Sequence, residues 1–164
     1  MSAPNPPVIR RIGTDEWSLW RRLRRAALAD APAAFGSTLA EWSDVGDTEE
    51  RWRARLHDVP ANFVASLGGD PVGMVSAAGP DGGEVELISL WVAPATRGSG
   101  VGDALVGAVV EHARRLGVGR VALSVRASNG PALALYERNG FVDVGPGDRC
   151  VPSVDTERRM HRLL

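Results

Sequence analysis

The spacing of apolar positions along this chain changes several times, and each change marks an element boundary. Val8 to Ile12 reads as a first strand, preceded by residues 1–7, whose three prolines predict a flexible tail. Thr14 is placed to cap a helix with Asp15 and Glu16 in its first turn, where acidic groups suit the positive end of the dipole. Leu19, Leu23, Ala26 and Ala27 then fall on one helical face. Ala31-Pro32 ends that helix, because the residue before a proline avoids the α region. A short second helix is expected from about Ala33 to Trp42. Asp47 and Glu50 have the offset of a capping box variant, and Trp52 and Leu56 share a face, so a helix is predicted over residues 48–57.

Beyond this point the pattern turns to strands. Ala61 to Leu67 and Pro71 to Ala78 are apolar runs joined by Gly68-Gly69-Asp70, which is hairpin chemistry, and a Gly/Pro-rich turn leads into Glu84 to Val92. Val101, Leu105, Ala108, Val109, His112 and Leu116 recur at helical spacing, and Gly117 and Gly119 stop that helix. Val121 to Arg126 is the next strand, Asn129 to Asn139 a helix closed by Gly140, and Phe141 to Val144 a further strand. A Gly/Pro/Asp-rich loop from Gly145 to Asp155 precedes a last strand from Glu157. The sum is a single α/β (α+β) domain over residues 8–164. Its sheet is mixed and mostly antiparallel, with six to seven strands flanked by helices and one parallel, right-handed strand-helix-strand crossover.

Composition narrows the function. A formal net charge of -1 with 24% charged residues provides no global field for nucleic acid. No apolar run approaches the ~18 residues that span a bilayer, and the first residues lack the pattern of a secretory signal. One cysteine, Cys150, has no internal disulfide partner, so a reducing cytoplasm is the expected location. Cys150 itself reads as an incidental thiol. His57, His112 and His161 lack metal-ligand spacing, so no metal is expected; His112 falls on an apolar stripe and reads as a core histidine.

The most informative segment is Arg97-Gly98-Ser99-Gly100-Val101-Gly102, at the junction of a strand and a helix. Glycines there leave backbone N–H groups uncovered at a helix start, a favourable place for a pyrophosphate. A dinucleotide fingerprint would need a further glycine where Asp103 stands, and the absence of lysine excludes a P-loop. Instead, Arg97-x-x-Gly100-x-Gly102, followed by Asn129-x-x-Ala132-x-x-Leu135-Tyr136-Glu137-x-x-Gly140-Phe141, resembles the acetyl-CoA site of the GNAT N-acetyltransferase superfamily. The resemblance covers roughly residues 84–141.

That resemblance implies acetyl-CoA as co-substrate, an amine acceptor and a capacity for homodimerisation. It assigns the pyrophosphate to the N–H groups from about Gly98 through Ser99, Gly100, Val101 and Gly102 to Asp103, with Arg97 adding charge and Asp103 turned to solvent. The pantetheine arm falls to the strand end at Leu90, Trp91 and Val92, with Asn129 and Ala132 nearby. An amine of pKa ~10.4 must lose a proton before it attacks. Glu84 and Glu86 project from one strand face with Ile88 and Leu90. Glu86, 11 residues before Arg97, is the first candidate base, with Glu84 the second. Tyr136 occupies the general-acid position of the family, and the Val92 N–H is expected to meet the developing oxyanion.

The acceptor is less legible. Trp17, Trp20, Trp42 and Trp52 read as core residues, with the pocket wall as the alternative. Asp44, Asp47, Glu49 and Glu50, with Asp30 and Glu41, either attract a cation or form a solvated loop. The stretch from Asp30 to Thr38 resembles a segment of uncharacterised bacterial GNAT proteins, which names no substrate. The acceptor is thus a small-molecule or peptide amine. A non-catalytic acyl-CoA-binding module and a transferase of longer acyl groups are the competing functions.

Overall fold

A computed structural model of the chain describes residues 5–35, 37–146 and 156–164. Its framework is one seven-stranded sheet in the order β1-β2-β3-β4-β5-β7-β6. The strands are β1 (Val8–Ile12), β2 (Ala61–Leu67), β3 (Asp70–Asp81), β4 (Glu84–Val92), β5 (Arg120–Arg126), β6 (Val142–Pro146) and β7 (Glu157–Leu163). All neighbours are antiparallel except β4 and β5. That parallel pair is joined through α3 (Val101–Leu116), as parallel strands require a crossover.

Helices cover both faces of the sheet. On one side α1 (Trp17–Asp30) and α2 (Glu49–Asp58) bury Trp20, Leu23, Leu28, Trp52 and Leu56 against Val64, Met74 and Trp91. On the other side α3 and α4 (Gly130–Arg138) bury Leu105, Val106, Val109 and Tyr136 against Val85, Leu87, Val121, Leu123 and Met160. Each helix hides an apolar stripe that it could not bury alone.

Several local expectations are corrected. Thr14 starts a 3-10 turn (Thr14–Glu16) and caps nothing; the helix proper begins at Trp17 with no side-chain cap. The inward stripe of α1 is Trp20, Leu23, Arg24, Ala27 and Leu28, and Ala26 is exposed. The helix expected between Ala33 and Trp42 is replaced by two 3-10 turns, Pro32–Ala34 and Ala40–Trp42. The cap of α2 is Thr48, whose Oγ1 accepts the Arg51 N–H. Strand β6 extends through Pro146, into the segment expected to be loop. Cys150 lies outside the described residues. His112 is half-buried at the edge of the core, stacked edge-on with Phe63, and burial, with the nearby charges of Arg11 and Arg115, pulls its pKa down.

Asp47, freed from capping, ties the two helices of the first face together. Its carboxylate accepts from Arg21 Nε of α1 at 2.7 Å and from Trp52 Nε1 of α2 at 2.8 Å. Hydrogen bonds from Arg21 and Trp52 hold the Asp47 carboxyl well below the usual carboxylate range. A group whose folded pKa is depressed contributes stability above its unfolded pKa, and that contribution is lost as pH falls toward the folded value. The denaturation midpoint should therefore drop between about pH 5 and pH 2, taking ~3.9 for an unfolded aspartate. Urea titrations of Asp47→Asn should show a lower midpoint at pH 7 and a shallower acid limb; an identical acid limb in the variant would remove Asp47 from this role.

Candidate active site

The cleft begins with a shortage of hydrogen bonds. Strands β4 and β5 pair only through Glu84–Arg120, Val85–Val121 and Glu86–Ala122, although both strands continue. Beyond Glu86 the β5-facing edge of β4 has no partner strand among the described residues, and a cleft of about 1340 Å³ opens there. Its walls include Glu86 to Val92 of β4, Ser124 to Arg126 of β5, the loop before α3 and the inner side of α4.

A bulge in β4 sets what faces this cleft. Met74 pairs with Trp91 and Ser76 with Ile88, so three steps along β4 oppose two along β3. Ser89 sits in the bulge with φ 58°, a left-handed conformation uncommon for a serine. The extra residue inverts the strand's alternation. Val85 and Leu87 pack on the α3 side before the bulge, while Leu90 and Val92 pack there after it and Trp91 turns to the α1 side. Leu90 therefore does not share a face with Glu86, contrary to the simple alternation expected from sequence. Trp91 Nε1 donates to Asp30 at the end of α1, 3.0 Å away.

At the open end of β4, the Ala93 N–H donates to Val72 O, which makes Gly73 and Val92 a pair whose own amides point out of the β3 ladder. The Val92 N–H is thus turned to the cleft side of the strand. The loop then enters α3 through Gly98 (φ 83°) and Gly100 (φ 85°), both in left-handed conformations. Thr48 and Asn129 cap α2 and α4 with their side chains, but no side chain caps α3. Its first intrahelical bond is Ala104 N–H to Gly100 O, so the N–H groups of Val101, Gly102 and Asp103 keep no helical acceptor.

Of the loop residues singled out from sequence, Arg97, Gly98, Gly100, Gly102 and Asp103 line the cleft. Ser99 instead donates to Thr96 O, and Val101 is buried in the core. Arg97 is anchored, its Nη2 2.6 Å from Asp30 and its Nε donating to Val92 O. Asp103 does not point to solvent. It accepts Nε and Nη2 of Arg138 at 2.8 and 2.9 Å and Nδ2 of Asn139 at 2.8 Å, which clamps α4 to α3. These bonds, the one from Arg138 first, hold its pKa below the ordinary value. Gly102 permits the close approach, since a Cβ there would lie 3.1 Å from Leu135 Cδ2.

The two glutamates part company. Glu84 is not in the cleft wall; Arg120 and Arg159 both engage it. Burial pushes its pKa up, but the Arg120 hydrogen bond and the charge of Arg159 outweigh this and hold it down. Glu84 is therefore a structural ion-pair residue, and the expectation of it as second base is withdrawn. Glu86 lines the cleft and is 43% exposed, with one contact from Arg159 Nη1 at 3.3 Å. Across the sheet, Asn129 caps α4 by accepting the Ala132 N–H at 3.3 Å, and both residues line the cleft. Tyr136 is 7% exposed, packs edge-on against Phe141, and its hydroxyl has no hydrogen-bond partner among the described residues. Burial pushes its pKa up, so it stays protonated at neutral pH.

The acceptor-side expectations also change. Trp20, Trp42 and Trp52 are core residues, Trp42 and Trp52 with ring centroids 4.3 Å apart, and neither they nor Trp17 line the cleft. Half of the six acids of that connection are paired: Asp47 with Arg21 and Arg25, Glu49 with Arg53, and Asp30 with Arg97. Sequence reasoning missed Arg24, Phe35, Arg55, Ser89 and Arg159, all in the wall. The available signal was an arginine at position 24, one turn from both Trp20 and Leu28 on the inward stripe. Among the described residues no group of His, Cys, Asp and Glu is arranged to hold a metal ion, and no helix is long and apolar enough to cross a membrane.

Comparison with known proteins agrees with this architecture. Residues 20–141 match the family model described as Acetyltransferase (GNAT) family. The chain is 31% identical to the uncharacterized N-acetyltransferase YjgM of Escherichia coli over 99% of its own length and 98% of that protein. It is 36% identical to a mycothiol acetyltransferase of Geodermatophilus obscurus over 80% of its length but only 42% of the relative, so it spans less than half of that protein. Among solved structures, PaiA N-acetyltransferase from Thermoplasma acidophilum in complex with coenzyme A superposes with a TM-score of 0.76 at 15% identity, covering 100% of both chains. A GNAT-family acetyltransferase from Streptococcus pneumoniae gives 0.77 at 21% identity, over 96% and 99% of the two chains. These two likenesses concern the fold.

The unbonded phenol makes a stability test possible. Tyr136→Phe removes a hydroxyl that contributes no protein hydrogen bond, so the melting temperature should stay within about 2 °C of wild type. A fall of more than about 5 °C in a calorimetric scan would show that the hydroxyl is held by the fold.

Proposed function

The chain belongs to the GNAT acetyltransferase family and is an acyltransferase; from that premise we propose that it moves an acetyl group from acetyl-CoA to a primary amine by direct attack in a ternary complex. The observation that carries this reading is the parting of β4 and β5, which opens one cleft to both faces of the sheet. Amine and thioester can then meet from opposite sides.

The residues present fit acetyl-CoA. The uncapped first turn of α3, entered through Gly98 and Gly100, offers free N–H donors for a diphosphate, and Arg97 adds a cation beside it. The unpaired edge of β4 at Leu90 to Val92 offers backbone groups to a peptide-like arm, much as a sheet edge accepts an added strand. Asn129 and Ala132 flank that path. When bound, acetyl-CoA supplies an acetyl group activated as a thioester.

Alternation along β4 puts Glu86 on the face opposite Val85 and Leu87, which is the α1 and α2 side. Glu86 there accepts the proton that an ammonium must lose, directly or through one water. The Val92 N–H, turned to the cleft, is the donor for charge developing on the carbonyl oxygen. Tyr136 approaches from the α3 and α4 side, and its raised pKa keeps a proton available for the leaving sulfur. Cys150 is not needed, since no acetyl-enzyme is invoked.

Thiol release with acetyl-CoA and a panel of amines tests the reading. Release that depends on an added amine supports it; tight CoA binding with no release from any amine would make the chain a binding module. Glu86→Gln should lower kcat/KM by about 100-fold near pH 7 and recover partly at high pH, where the amine is already neutral. Tyr136→Phe should lower kcat by at least about 10-fold with CoA affinity retained. Unchanged rates in either variant would remove that residue from the mechanism.

A further inference from the structure

Arg24 is the anomaly of the cleft. It sits on the inward stripe of α1, 8% exposed, in the wall of the cleft, and its Nη1 has no hydrogen-bond partner. Its only described stabilising contact is with the ring of Phe35, whose centroid is 4.7 Å from the guanidinium carbon. Buried polar side chains are almost always bonded, and a buried charge is ordinarily paired. Beside it, Arg55 is held by the oxygens of Asn62, Ser76 and the bulged Ser89, at 3.2, 3.1 and 3.4 Å. Asn62 and Ser76 are fully buried, so this second guanidinium is fixed by the sheet itself. Neither arginine forms an ion pair among the described residues. Two cations thus lie together at the cleft; Arg55 feels the charge of Asp58, whereas the nearby charge that bears on Arg24 is the repelling one of Arg55.

We propose that Arg24, with Arg55 beside it, binds a carboxylate of the acceptor, so that the amine acetylated here belongs to a small amino acid or a close derivative. The inference rests on the transferase reading and specifies its substrate. Arg24 and Arg55 belong to the helices on the Glu86 face of the sheet, while the glycine loop that suits phosphates starts α3 on the other. A carboxylate held at the arginines leaves the amine of the same molecule free to reach Glu86. A planar monoanion suits the fork of a guanidinium, and Glu86 on the same face disfavours a dianion.

Differential scanning fluorimetry and thiol release with L-amino acids and their carboxamides test this. The free acids should raise the melting temperature of the protein by about 2 °C or more, the carboxamides should not, and kcat/KM should favour the acids by at least about 10-fold. Arg24→Met, which removes the unpaired charge at similar volume, should abolish both preferences. It should also melt at or above the wild-type temperature, since it relieves a buried charge. Equal responses to acids and carboxamides in the wild type overturn the proposal, as does a shift by the acids that survives in Arg24→Met, or a larger shift by inorganic phosphate that Arg24→Met abolishes. Should Arg24→Met not fold, the wild-type comparison of acid with carboxamide decides alone. Calorimetry with CoA by itself separates the two levels: absence of CoA binding sinks the transferase reading, whereas absence of a carboxylate effect in a protein that binds CoA sinks only this one.

Discussion

Three residue pairs join the two halves of the sheet. Strands β1 to β4 form one antiparallel block and β5, β7 and β6 another, and their contact within the sheet is Glu84 to Glu86 against Arg120 to Ala122. Backbone groups that lose a ladder partner must find another or meet solvent. The separation therefore opens a channel through the sheet and leaves its rim rich in hydrogen-bonding groups. Arg120 and Arg159 bridge to Glu84 at the closed end of these pairs, and Arg159 also reaches Glu86, where the pairing stops and the cleft begins. The bulge at Ser89 works with it, because inverting the alternation of β4 sends Trp91 to one face and Leu90 and Val92 to the other.

Around that channel the charge is organised by helix. Asp30 at the end of α1 receives both Trp91 and Arg97, which joins the first helix to the loop that starts α3. Asp103 receives Arg138 and Asn139, which joins α3 to α4. Asp47 joins α1 to α2. Each aspartate fastens one pair of elements, and of the four acids in the cleft wall, Asp30, Glu86, Asp103 and Glu157, the two aspartates are spent on this structural duty. Arg24 and Arg55 are conspicuous against that background as cations left over.

Much of this was legible in the sequence. Both ends of β4 and α3 follow from periodicity and from glycines at the stops, and the two glycine- and asparagine-led blocks in the loop and α4 carry the resemblance to the family that matches residues 20–141. What resisted reading has a common cause: it depends on contacts between distant segments. An arginine counts as polar in any helical pattern, so the inward position of Arg24 is invisible until its helix meets the sheet. The bulge at Ser89 has no local signature, and without it Leu90 falls on the wrong face. Asp47 looks like a cap because its offset from Glu50 is right, yet the guanidinium of Arg21 competes for it and Thr48 takes the capping position. Glu84 and Glu86 are equivalent in an isolated strand; only the neighbouring β5 and β7 supply the arginines that tie one down.

Every one of these fastening cations is an arginine, for the chain of 164 residues contains no lysine. A guanidinium remains protonated under physiological conditions and is a poor nucleophile, whereas a lysine amine released from its partner would compete for the same activated acyl group. The framework that surrounds a reactive thioester is consequently built without any lysine amine that could consume it. Self-modification, which would neutralise an ion pair and loosen the wall around it, has no lysine on which to begin.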